Sequence, residues 1–97
     1  MGKIKQILPG EILEQEFLNP MGISAYRLSK EINIPATRIS EILKGKRRIS
    51  VDTALRFSKY FGNSAEFWIG IQNDYEIRKE RTEKAKELNK IRELALV

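Results

Sequence analysis

An all-α fold is what this sequence predicts, and two features predict it. Apolar residues recur at three- and four-residue spacing with no sustained strand-type alternation, and proline and glycine cut the chain into short pieces. A chain of 97 residues has room for one core, so a single domain is expected over residues 1–97. Hydrophobic residues at 41% and charged residues at 32% describe a folded chain, with too many apolar positions for a wholly disordered one.

Five helices are expected in order. Pro9-Gly10 opens the first, with Ile12, Leu13, Phe17 and Leu18 on one face, and Asn19-Pro20 and Gly22 close it. Ser24 caps the second, which turns Ala25, Leu28 and Ile32 inward and breaks near Asn33, because Pro35 disfavours helical geometry at Ile34. The third runs from Pro35 to Gly45 with Ile39, Ile42 and Leu43 inward; the glycine suits a left-handed C-cap. Ser50 caps the fourth, whose inner face is read as Val51, Ala54, Leu55 and Phe61 before Gly62. Ser64 caps the fifth, with Phe67, Trp68 and Ile71 fitting the core. Nothing breaks it after Gly70, so it is expected to be long. Its continuation, about 76–97, is a charged helical extension supported by pairs such as Glu80 with Lys84. A narrow stripe of Leu88, Ile91 and Ala95 there either packs on a partner subunit or belongs to a free tail.

Composition excludes several kinds of chemistry. Without cysteine or histidine there is no disulfide, no thiolate site and no structural zinc, and no metal or other cofactor is expected. An enzyme is not expected either, since there is no glycine-rich phosphate loop and the carboxylates are scattered along charged helix faces. No apolar run approaches the roughly 18 residues of a membrane span. The N-terminus MGKIKQILPGE lacks the apolar core of a signal peptide, so the expected location is the cytoplasm. The net charge of +5 is uneven: residues 1–22 carry −1, residues 23–63 carry +6, and residues 64–97 are balanced. A localised basic field attracts polyanions, although charge alone fits mere solubility equally well.

The second and third helices, joined by about three residues, cannot lie antiparallel and must cross steeply, which is the geometry of a helix-turn-helix with a core about 24–62. The five positions that must then point inward, Leu28, Ile32, Ile34, Ile39 and Ile42, are all apolar. Ser29 and Asn33 stand where the motif prefers a small residue and a glycine; asparagine enters left-handed backbone more readily than other non-glycine residues. The 3.6-residue repeat leaves Thr37, Arg38, Ser40, Glu41 and Lys44 outside.

Of these, Thr37, Arg38, Ser40 and Glu41 are the candidate base contacts in a major groove. Arg38 can pair with guanine, Thr37 can meet a base edge or a thymine methyl, and Glu41 can accept from cytosine. Lys44, Lys46, Arg47 and Arg48, four cations within five residues, are the candidate phosphate contacts, with Arg27 and the helix start at Ser24 beside them. The bland alternative is a solvated charge run on a loop.

Four stretches together, PGEILEQEFL, GISAYRLSKEINIPATRISEILKGKRRIS, DTALRFSKYFG and EFWIGIQNDYEI, resemble the XRE-like helix-turn-helix proteins, and among them the HigA-type antitoxins, also called the VapI antidote group. The resemblance covers most of the chain. It implies a five-helix repressor-like fold, a homodimer, binding to double-stranded operator DNA in its own promoter, and neutralisation of a toxin, usually an mRNA-cleaving ribonuclease of HigB type. It points to Thr37, Arg38 and Ser40 as base contacts, to Lys44, Lys46 and Arg47 around the phosphates, and to Phe67, Trp68, Ile71, Gln72 and Tyr75 as a fifth-helix signature used mainly in packing. The alternatives are a stand-alone repressor without a toxin partner and an interaction module that binds no DNA. The charged tail beyond Tyr75 is longer than the shared pattern requires, and the toxin-binding surface stays unassigned.

Overall fold

Leu8, in extended backbone, caps the first helix of the computed structural model, which describes residues 7–95. The leader at 1–6 and the last positions of the expected extension, 96–97, lie outside the described residues. Helix α1 runs as α-helical Pro9–Ile12, a π-helical stretch Leu13–Leu18 and α-helical Asn19–Met21. The Glu11 carboxylate accepts the Leu8 N–H at 3.0 Å, satisfying one free donor at the helix start. The helix runs through Asn19-Pro20, the first of its two expected stops, and ends at Met21 before the second, left-handed Gly22. Pro20 lacks an N–H, and its ring crowds the carbonyl four residues back. The π-helical register, in which Asn19 donates to the Glu14 carbonyl, widens the turn that must receive that ring.

The remaining helices are α2 (Ala25–Ile32), α3 (Ala36–Leu43), α4 (Val51–Phe61), α5 (Ala65–Glu83) and α6 (Ala85–Leu88). All three expected serine caps form: Ser24, Ser50 and Ser64 accept from the backbone N–H of Arg27, Thr53 and Phe67 at 3.0, 3.2 and 3.0 Å. The core joins Leu13 and Leu18 of α1 to Leu28, Ile39 and Ile42 of the central pair, and to Phe57 of α4 and Trp68 of α5. Trp68 meets Phe17 and Phe57 with ring centroids 4.9 and 5.0 Å away, and its indole N–H donates to Asn63 Oδ1 at 2.8 Å.

Helix α4 turns differently from the sequence reading. Val51 and Leu55, expected inside, are 63% and 53% exposed, and the buried face is Thr53, Ala54 and Phe57. Two apolar stripes share this helix, and the large ring of Phe57, packed on Trp68, decides which one faces the core. Phe67, also expected inside, is 39% exposed beside fully buried Trp68.

The charged extension is helical as expected through Glu83, with the Glu80–Lys84 pair at 2.7 Å. At Lys84 the backbone leaves helical geometry (φ −107°, ψ 17°) and α6 turns back. Leu88 thereby lines a shallow groove with Asn73, Ile77 and Arg81, although a straight helix would hold it roughly 22 Å from residue 73. Residues 91–95 are not helical, so Leu88, Ile91 and Ala95 do not form one stripe. A strongly charged helix without an apolar face on the core has only propensity and ion pairs to hold it, too little for a full extension. Among the described residues no helix is long and apolar enough to cross a membrane.

Gly10 is where α1 touches α3: a Cβ there would stand 2.1 Å from the Ile42 carbonyl oxygen and 2.8 Å from Leu43 Cα. Both neighbours are backbone and cannot rotate away. Gly10→Ala is therefore expected to cost about 1–3 kcal/mol or more, read as a lower urea midpoint with an unchanged slope. A midpoint equal to wild type would mean that α1 slides off α3 without loss.

Candidate nucleic-acid interface

The turn between α2 and α3 is built from three locally determined residues. Asn33 adopts left-handed backbone (φ 60°, ψ 52°), its N–H and that of Ile34 both return to the Ser29 carbonyl, and Pro35 starts α3 as its N-cap. Ser29 is buried with its hydroxyl on the Tyr26 carbonyl at 2.6 Å, and all five inward positions of the motif are buried. Sequence reading missed Arg56 here. From α4 its Nη1 donates to the carbonyls of Ile32 and Asn33 at 2.8 and 3.4 Å, while Asp52 holds its Nε at 3.0 Å. The i,i+4 spacing of Asp52 and Arg56 hinted at their pairing; the reach across 24 residues to α2 depends on tertiary packing.

With Ile39 and Ile42 buried, Thr37 is exposed and Arg38, Ser40 and Glu41 are half-buried along the outer side of α3. The cations beyond it fall into two groups. Arg47 donates to Glu41 Oε1 at 2.7 Å, and Arg48 forks onto Glu76 of α5 through Nε (2.8 Å) and Nη2 (3.1 Å). In contrast, no carboxylate of a described residue pairs with Arg38, Lys44 or Lys46. Ser24 sits at the α2 start with its hydroxyl used in the cap, and Arg27 lies 3.6 Å from Glu31 on the exposed side of the same helix. The fold thus brings the base candidates and the Lys44–Arg47 cations onto one edge, while Arg48 turns toward α5. Free cations beside a half-buried polar helix face can neutralise phosphates while side chains of α3 reach a groove.

One carboxylate and one phenol are tuned by their neighbours. Glu76 is held below the ordinary carboxylate range, chiefly by the Arg48 hydrogen bond and with help from Gln72, against an opposing desolvation; Arg48 is pushed up by the same bond. Glu31 accepts the Tyr60 hydroxyl in a short hydrogen bond, which raises the Tyr60 phenol. Gln72 is buried at 4% exposure, with its Oε1 on the Ile49 N–H (2.9 Å) and its Nε2 on Glu76 (3.0 Å).

Two helices crossing through a three-residue turn, the second presenting a polar outer face flanked by cations that no carboxylate of the described residues engages, define a helix-turn-helix domain of the DNA-binding type. The family profile described as helix-turn-helix matches residues 15–68, and the chain belongs to this family, in its XRE-type branch. It is 46% identical over 72 residues to virulence-associated protein I of Dichelobacter nodosus, covering 74% of this chain and 67% of that protein. Among solved structures it is similar to a Pseudomonas aeruginosa antitoxin HigA with the higBA promoter, at 34% identity and a TM-score of 0.89, over 95% of this chain and all of that one. An addiction module antidote protein of the HigA family from Coxiella burnetii is similar at 38% identity and a TM-score of 0.87, with the same coverage. These likenesses meet the resemblance read from the sequence, and they place the chain among DNA-binding regulators instead of enzymes.

The Glu76–Arg48 pair gives a pH dependence of known sign. A carboxylate whose folded pKa lies below its unfolded value of about 4.3 contributes stability that is present above that value and lost as pH falls through the folded pKa. Glu76→Gln should therefore lower the melting temperature at pH 7 by a small amount, the pair being half-exposed and worth at most about 1 kcal/mol. The gap to wild type should close as both proteins are taken below about pH 4. A gap that stays constant down to pH 2.5 would show that the carboxylate charge contributes nothing.

Proposed function

We propose that this chain binds the operator upstream of its own gene as a homodimer, represses that transcription unit and neutralises a ribonuclease toxin of HigB type encoded beside it. The observation that carries the DNA part is the juxtaposition of Thr37, Arg38 and Ser40 on the outer face of α3 with Lys44 and Lys46, which have no carboxylate partner among the described residues. In this reading Thr37, Arg38 and Ser40 meet base edges. Lys44, Lys46 and Arg47 take phosphates, with Arg27 and the α2 start at Ser24 contacting the backbone alongside. Glu41, held by Arg47, orients that arginine more than it reads a base, leaving the two Nη groups for a phosphate. Support for the antitoxin role comes from the similarity to HigA proteins, one of them solved with its promoter.

The two-fold contact is assigned to the second apolar stripe of α4. Val51 and Leu55 of α4 line a shallow depression with Ala65, Glu66, Ile69, Gly70 and Asn73 of α5, and none of its lining residues belongs to α3. A second copy seated there leaves both recognition helices free to enter successive major grooves, roughly 34–36 Å apart.

Binding to the upstream duplex, measured against an unrelated duplex of equal length over a series of salt concentrations, tests the proposal. Arg38→Ala is expected to abolish the preference for upstream DNA. Lys46→Ala should weaken both duplexes alike and reduce the salt slope by about 0.9. Equal weak binding of wild type to both duplexes would refute sequence-specific repression. For the dimer, Leu55→Glu should shift sedimentation from dimer to monomer while helicity is retained; an unchanged dimer would move the interface elsewhere.

A further inference from the structure

We infer that Gln72 and Glu76 are positioning residues for DNA binding: acting through Arg48 and the Ile49 amide, they clasp onto α5 the loop that carries Lys46 and Arg47. The inference rests on the reading of α3 and its following loop as the DNA-contacting surface.

The loop has few supports of its own. After α3 ends at Leu43, Gly45 turns the chain in left-handed backbone (φ 75°), and the N–H groups of Gly45 and Lys46 return to the carbonyls of Ile42 and Glu41 at 3.1 and 2.8 Å. The next anchored backbone donor is Ile49 N–H. Its partner is not backbone but the Gln72 amide oxygen, and the Ile49 side chain beside it is fully buried. Lys46, Arg47 and Arg48 hang exposed between these two supports.

Gln72 is satisfied at both ends, which fixes its amide: the oxygen must face the Ile49 N–H, so the nitrogen faces Glu76. Glu76, thus oriented, presents both oxygens to the Arg48 guanidinium in a bidentate fork. Two residues one turn apart on α5 therefore hold two consecutive loop residues, one by side chain and one by backbone. With Nε and one Nη engaged on Glu76, Arg48 serves as a strut for the loop, not as one more phosphate contact; Lys46 has no such partner among the described residues.

The pair is half-exposed, so its effect on global stability is small. Its effect on binding is larger, because a loop ordered before DNA arrives does not have to lose that freedom on contact. The clasp also joins the DNA-contacting loop to the helix whose neighbouring face carries Ile69, Gly70 and Asn73, so that loop and proposed two-fold contact move as one body.

The experiment compares wild type, Arg48→Met, Glu76→Gln and the double variant, each with and without Lys46→Ala, on the upstream and unrelated duplexes over a salt series. Urea unfolding of every variant checks that it is folded under assay conditions. A clasp predicts that Arg48→Met and Glu76→Gln each weaken upstream binding, by roughly tenfold, the cost of immobilising one or two long side chains afresh. The double variant should be no worse than either single one, and Lys46→Ala should cost less in their background than in wild type, a coupling that loss of global stability alone would not produce. If Arg48 were a phosphate contact restrained by Glu76, Glu76→Gln would instead tighten binding and steepen the salt slope, while Arg48→Met would flatten it by about 0.9. That pattern, or wild-type affinity in Glu76→Gln, overturns the inference. The underlying DNA reading is judged separately, by the wild-type preference for upstream over unrelated duplex, and the clasp by the ratio of variant to wild type on whichever duplex is bound.

Discussion

Three residues between α2 and α3 govern what the rest of this molecule can present. Asn33 must take left-handed backbone to end α2 that sharply, Ile34 must be buried to hold the corner, and Pro35 prevents α2 from simply continuing. Given that corner, Leu28 and Ile32 on one helix and Ile39 and Ile42 on the other close on each other, and the outer side of α3 has nowhere to face but solvent. The corner also leaves polar backbone exposed at the α2 end, which Arg56 covers by donating to the Ile32 and Asn33 carbonyls. Helix α4 is thus tied to the turn by a charged hydrogen bond as well as by packing, and the orientation of α3 is set from both sides: by α1 through the close approach at Gly10, and by α4 through Arg56.

Electrostatics at this surface depends less on how many cations it has than on which are already engaged. The central segment carries the whole excess of positive charge, yet Arg27, Arg47, Arg48 and Arg56 each face a carboxylate of the chain itself. Among the described residues, the cations of that segment without a carboxylate partner are Lys30, Arg38, Lys44, Lys46 and Lys59, and three of the five, Arg38, Lys44 and Lys46, cluster on α3 and just beyond its end. A field concentrated in that way draws a polyanion to one edge of the molecule instead of coating it uniformly. The arginines that pair internally are not lost to function, since they place loops and turns whose geometry the free cations rely on.

Much of this was legible in the sequence because it is local. Serine caps, a left-handed asparagine, glycine stops and the five inward positions of the motif all depend on residues within a few positions of each other. What was not legible depends on packing. Helix α4 has two apolar stripes of similar quality, and periodicity cannot say that Phe57 wins over Val51 and Leu55 until Trp68 is in place. The π-helical widening ahead of Pro20 follows from a conflict between a proline and a helix that tertiary contacts keep going. At the candidate site, helical spacing placed Thr37, Arg38 and Ser40 on the outer side of α3, and Lys46 stood out only as part of a run of cations. Arg48 was grouped with the other cations, and its pairing with Glu76, 28 residues away, has no local signal. Arg56 and Gln72 had none either, beyond a helical charge pair and a place in a recognised signature.

Helix α5 resolves a tension between these parts. In the proposed dimer, reading two grooves at once would require two α3 helices at a fixed separation, but a short helix followed by an irregular loop is poorly suited to hold its own position. The face of α5 that buries Trp68 in the core also carries Gln72 one turn on, which with Glu76 grips the loop, and another face is lined with Ile69, Gly70 and Asn73 beside the exposed stripe of α4. Rigidity is therefore carried from the core to the loop through a single helix, across a distance of one turn. That economy explains why a polar residue such as Gln72 is buried there at all: an apolar side chain would pack as well against the core, but it would leave the Ile49 N–H without an acceptor and the Glu76 carboxylate without its guide.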